Sequence, residues 1–66
     1  MKSIYTVLVY ENYTAQVESL LNRFRVGLND WDRSKVFELN GERVVNYTIA
    51  CTEDVHTSIV NYLYNV

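Results

Sequence analysis

The sequence predicts an α+β domain in which three strands and two helices follow the order β-α-β-β-α. Three observations lead there. Residues 4–10 are apolar, β-branched or aromatic at almost every position. Two later stretches repeat apolar residues at helical spacing, the pattern of a helix with one buried face. Asn40-Gly41 stands between two further apolar runs. That dipeptide is a strong hairpin signal, because a type I′ turn needs positive φ at both central residues. At 66 residues the chain makes one domain, 1–66.

Taken in order, Ile4-Tyr5-Thr6-Val7-Leu8-Val9-Tyr10 reads as a strand buried on both faces. Asn12 or Thr14 can cap the next helix, since a short side-chain oxygen satisfies an orphan backbone N–H. Val17, Leu20, Leu21, Phe24 and Leu28 form its apolar stripe. Arg23 and Arg25 suit the negative end of the helix dipole. Gly27 can take the left-handed conformation that stops the helix, so helix one is predicted over 13–26. Residues 29–33, around Trp31, read as a polar loop. Strands follow at 36–39 and 44–50. A two-residue Asn40-Gly41 loop sets Glu38 opposite Arg43 and Phe37 beside Val44, on the face opposite Val45, Tyr47 and Ile49. A three-residue loop including Glu42 would pair Phe37 with Val45 and put Leu39, Phe37, Tyr47 and Ile49 on one face. Turn chemistry and charge favour the two-residue loop. Thr52 then caps helix two, with Glu53 and Asp54 in its first turn. Val55, Ile59, Tyr62, Leu63 and Val66 carry its apolar stripe to the C-terminus.

Helix one is long enough for a right-handed crossover between parallel strands, and the third strand can pair antiparallel with the first. The sheet order is then 1-3-2, with both helices on one face. This plan resembles the split β-α-β ferredoxin-like fold without its fourth strand. The likeness is architectural and implies no particular activity. In that plan the fourth strand would cover the free edge of strand one. Residues 4–10 hold no Pro, Gly or charge, the devices that normally blunt an exposed edge. Tyr5, Val7 and Val9 are therefore expected to mark a partner-binding edge. Its occupant would be a second copy across a two-fold axis or a foreign strand. A different chain order would instead make strand one central within the monomer. Association also suits the size, because so short a chain builds a thin core and its one cysteine allows no internal disulfide.

Composition narrows the function. Hydrophobic residues make up 48% and the net charge is -2, so a folded chain is expected rather than a disordered one. No run approaches the roughly 18–20 apolar residues of a membrane helix, and no membrane role is expected. Lys2 with residues 4–10 is taken as structure and not as a signal peptide, since Glu11 ends the run and no small-residue cleavage site follows. Without a secretory signal, Asn12-Tyr13-Thr14 and Asn46-Tyr47-Thr48 match the glycosylation pattern by chance. One unpaired cysteine favours a cytoplasmic setting. His56 lies too close in helical sequence to Thr57 and Ser58 for a base and nucleophile to converge. Cys51 reads as a small buried residue. Asp30 and Asp32 read as a solvated turn, with too few oxygen ligands for a divalent ion. No phosphate loop or nucleophile elbow occurs. No enzyme activity, cofactor or metal is expected.

Besides the edge, Arg23, Arg25, Arg33 and Lys35 cluster along the chain around Trp31. Such a patch can dock an acidic protein or hold a phosphate backbone and stack a base. The mild acidity disfavours the second use, and residues 41–48 lack the glycine-aromatic pattern of an RNA-recognition module. The expected function is that of a small non-enzymatic protein-binding module, homodimeric through its first strand. Frequent Asn and Tyr with no Pro fit an AT-rich coding sequence. They suggest a bacteriophage-type accessory protein that binds and modulates a host protein by occlusion in the host cytoplasm. The alternative is a small nucleic-acid-binding protein using Arg23, Arg25, Trp31, Arg33 and Lys35.

Overall fold

A computed structural model describes residues 2–64. Their elements are β1 (Ser3–Tyr10), a 3-10 turn (Glu11–Tyr13), α1 (Thr14–Arg23), β2 (Trp31–Arg33), β3 (Phe37–Leu39), β4 (Glu42–Cys51) and α2 (Glu53–Tyr64). The fold is α+β, with two helices and a four-stranded antiparallel sheet. β1 borders one edge of β4, and β2 and β3 lie end to end along the other.

Asn40 and Gly41 have φ of 54° and 82°, as a type I′ turn requires. The two-residue loop sets Phe37, Glu38 and Leu39 opposite Val44, Arg43 and Glu42. This is the register that turn chemistry and charge favoured. The expected three-stranded sheet in the order 1-3-2 is corrected by β2, which forms where a polar loop was expected. β3 covers only residues 42–44 of β4, and β2 pairs with the open stretch beyond, Tyr47 to Ile49. Three residues beside Asn29 and Asp30 are too few for a period-2 pattern to stand out against turn-forming neighbours.

Between β2 and β3 the register slips by one. Ser34, Lys35 and Val36 face only Val45 and Asn46, which makes this a bulge. The Ser34 N–H donates to the Asn46 carbonyl at 2.9 Å, and the Ser34 hydroxyl accepts the Asn46 N–H at 3.0 Å. The hydroxyl replaces the backbone carbonyl that the bulge turns away. A one-residue slip exchanges the faces. Trp31 and Arg33 therefore share the face of Ile49 and Tyr47, whereas Phe37 and Leu39 share the opposite face with Val44 and Glu42.

The core lies on one side of the sheet. Val7 and Val9 of β1 and Val45, Tyr47, Ile49 and Cys51 of β4 meet Val17 and Leu21 of α1 and Ile59 of α2. Both helices thus cover the same face. α1 stops at Arg23, earlier than expected, and Arg25 rather than Gly27 takes the left-handed conformation, at φ 59°. The Val26 N–H bonds the Leu21 carbonyl at 2.9 Å and the Arg25 N–H bonds the Asn22 carbonyl at 3.1 Å. These bonds form a Schellman cap, with Val26 folded back onto the core. Leu28, expected on the helical stripe, consequently lies in the loop at 84% exposure. Tyr62, also expected in a core stripe, is exposed on α2. Val66 falls outside the described residues. At the start of α2 the Thr52 hydroxyl accepts the Val55 N–H at 3.5 Å, the expected cap. At α1, Thr14 instead donates its hydroxyl to the Glu11 carbonyl at 2.9 Å.

A non-glycine residue in the left-handed region bears a steric cost of about 1–2 kcal/mol, partly offset in a glycine variant by chain entropy. Arg25→Gly is expected to stabilise the fold by about 0.5–1 kcal/mol. The urea midpoint should rise with an unchanged denaturant slope. A lower midpoint would mean that the Arg25 side chain contributes more than the strain costs.

Candidate interaction surfaces

The hairpin determines which backbone groups of β1 remain free. A two-residue turn makes its flanking residues, Leu39 and Glu42, a hydrogen-bonded pair. Even-numbered residues of β4 therefore turn their N–H and C=O groups toward β3 and β2. Two bonds agree: the Ala50 N–H reaches the Asp30 carbonyl at 2.7 Å, and the Ser34 N–H reaches that of Asn46 at 2.9 Å. Odd-numbered residues of β4 then bond to their partners in β1, which are Ser3, Tyr5, Val7 and Val9. Ile4, Thr6 and Leu8 turn their backbone groups away from the sheet.

The sequence nominated Tyr5, Val7 and Val9 for this edge. The structure joins their backbones to β4 and points their side chains toward the helices, with Val7 only 4% exposed. The outward positions belong to their even-numbered neighbours. Among the described residues no strand pairs with this edge, and its ladder with β4 runs without a bulge.

The same even-numbered residues line the sheet face that no helix covers. Ile4 is 74% exposed and Tyr10 51%, and Leu8, Phe37 and Leu39 are also exposed there. Val44 is buried on this face between its two cross-strand neighbours, Tyr10 and Phe37. At this end of the sheet a groove reaches from Leu8, Tyr10, Leu39 and Val44 to Leu63 and Tyr64 in the last turn of α2, with Glu42 also lining it. Nearby, Glu11 holds Arg43 through bonds of 2.8 and 3.3 Å. This interaction draws the exposed Glu11 carboxyl below its ordinary value. The expectation of both helices on one face left the other face without a helix, although strand one was read as buried on both faces; the structure leaves Ile4, Leu8 and Tyr10 exposed there.

The nominated basic patch is only partly assembled. Trp31 begins β2 and packs against Tyr47, with ring centroids 5.8 Å apart at 46°. Arg33 donates to Glu18 Oε2 at 2.7 Å, and the Tyr47 hydroxyl donates to the same oxygen at 2.7 Å. The Tyr47 bond is the main cause that lowers the Glu18 pKa, with Arg33 adding to it and burial opposing it. Burial and the adjacent carboxylate push the Tyr47 phenol well up. Arg23, Arg25 and Lys35 are exposed, whereas Arg33 and Trp31 are tied to α1 and the core.

The remaining candidates have structural surroundings. His56 stacks on Tyr5, with centroids 4.0 Å apart and planes within 10°. Cys51 is a buried free thiol, and burial raises its pKa. Asp30 pairs with Lys2 at 3.2 Å, and Asp32 accepts the Arg33 N–H at 2.9 Å. Among the described residues no helix is long and apolar enough to cross a membrane. Compared with protein families, curated proteins and solved structures, the chain matches none.

Glu18 binds its proton less readily in the folded chain than in the unfolded one. Its stabilisation is complete above the unfolded value and disappears as pH falls through the folded value. Glu18→Gln is therefore expected to flatten part of the fall in urea midpoint between neutral and acidic pH, leaving the part due to Glu11. An acid limb identical to the wild type would show that the Tyr47 and Arg33 bonds do not bias this titration.

Proposed function

We propose that this chain is a non-catalytic protein-binding module that self-associates through β1 and occludes a surface of another protein with its uncovered sheet face. The supporting observation is that a free edge and a free face adjoin on one strand. Ile4, Thr6 and Leu8 offer outward backbone groups, and Ile4, Leu8 and Tyr10 offer exposed apolar side chains. Unpaired strand edges template the addition of another strand, and a contiguous apolar face is a docking surface for protein. Of the hairpin's carboxylates Glu42 shares this face with Leu39 and Val44, so the rim offers one acidic side chain to a basic group of the occluded surface. The Asn- and Tyr-rich, Pro-free composition suits a bacteriophage-type accessory protein acting on a host protein in the host cytoplasm. The nucleic-acid alternative has less support, because Glu18 holds Arg33 and Tyr47 holds one side of Trp31.

Thr6→Pro tests the edge. It removes an outward N–H without touching the β4 ladder, and proline is tolerated on an edge strand in that position. The wild type is expected to sediment at twice the chain mass, and Thr6→Pro at the single mass with an unchanged circular dichroism spectrum. Val7→Lys is unsuitable for this purpose, because it would bury a charge in the core. The face is tested by Phe37→Asp combined with Leu39→Asp, which should keep the fold and lose a host protein that the wild type captures. A monomeric wild type at millimolar concentration, or capture indifferent to the double variant, would overturn the corresponding half of the proposal.

A further inference from the structure

We infer that the occupant of the β1 edge is a second copy in one particular register, antiparallel across a two-fold axis beside Val7, with Ile4 opposite the partner's Tyr10. This rests on the self-association proposed above and adds its geometry. Residues directly opposite in an antiparallel pair share a face. Because even-numbered residues of β1 lie on the open face and odd-numbered ones on the helix face, even must pair with even. Two registers then use the strand fully, one centred on Thr6 and one on Val7.

The side chains separate the two. Centring on Thr6 sets Ile4 against the partner's Leu8 and leaves Tyr10 facing the partner's Lys2. Centring on Val7 closes Ile4, at 74% exposure, against the partner's Tyr10, at 51%, and does so twice by symmetry. Pairs of an aromatic and a β-branched residue are among the stabilising cross-strand contacts. Within each copy Phe37, Val44 and Tyr10 stand side by side across three strands, and Ile4 stands beside Ala50. The Val7-centred register joins these segments into one unbroken apolar row, Phe37, Val44 and Tyr10 followed by the partner's Ile4 and the partner's Ala50. The Thr6-centred register breaks the row at the partner's Lys2.

Charge does not oppose the pair. Ser3 to Tyr10 carries no charge, and the flanking Lys2 and Glu11 are paired within each copy by Asp30 and Arg43, so a second copy meets the edge without like charges opposed. The product is a continuous eight-stranded sheet with four helices on one face and an uncovered apolar band on the other. The occluding surface is thus two-fold symmetric and spans both copies.

Matched mixtures of single-cysteine variants, oxidised gently, decide the register. Opposed hydrogen-bonded residues place their Cα atoms about 5.5 Å apart, within disulfide range. Ile4→Cys mixed with Tyr10→Cys is expected to form a covalent heterodimer about tenfold faster than Ile4→Cys mixed with Leu8→Cys. Cys51 is buried and serves as the shared background. Preferential coupling of Ile4→Cys to Leu8→Cys would overturn the register while leaving the edge dimer standing. Neither mixture coupling, while the reduced wild type still sediments as a dimer, would overturn the β1 edge as the interface. A wild type of single mass would overturn the self-association itself.

Discussion

The hydrogen-bond ladder of β4 constrains everything else in this chain. Among the described residues β4 is the only strand bonded on both edges, and its pleat gives alternate residues opposite directions both for side chains and for backbone groups. The type I′ turn at Asn40-Gly41 fixes that alternation at Leu39 and Glu42. From there it passes through β4 to β1. Odd-numbered residues of β1 bond inward and pack under the helices, and even-numbered ones face outward in both respects. A turn at one corner of the sheet therefore decides which atoms are displayed at the opposite edge.

The bulge at Ser34, Lys35 and Val36 is the second device. Continued in the register of β2, the chain would have carried Phe37 and Leu39 under the helices. The extra residue turns them to the open face, beside Val44 and Tyr10. Bulges often re-aim side chains at functional edges. Here the bulge supplies Phe37, the first residue of the apolar row that the proposed dimer completes. The Ser34 hydroxyl closes the hydrogen bond that the bulge would otherwise leave open, so the change of face leaves Asn46 satisfied.

The helix face shows how a residue's neighbours redefine it. Read along the chain, Arg33 and Trp31 belong to a basic, aromatic patch. In the fold Arg33 bridges β2 to α1 through Glu18, and the Tyr47 hydroxyl reaches the same carboxylate oxygen. A side chain that is otherwise fully buried thereby places its one polar atom on a charged acceptor, and no buried side-chain polar atom among the described residues lacks a partner. Glu18 gave no sign of this role in sequence, because its partners lie 15 and 29 residues away.

The sequence by itself determined the local features: the hairpin and its register, the threonine cap of α2, the apolar stripes that set both helices on one face, and an unguarded first strand. These depend on φ preferences, short side-chain bonds and periodicity, all of which act within a few residues. Only the tertiary structure decided the rest. β2 exists because β4 had an edge left open. α1 ends at Arg23, with Arg25 rather than Gly27 in the left-handed position, because Val26 can fold back onto the core beside Leu21. The outward residues of the edge are Ile4, Thr6 and Leu8 instead of Tyr5, Val7 and Val9, because the direction of a backbone hydrogen bond is set by a partner strand some 40 residues away.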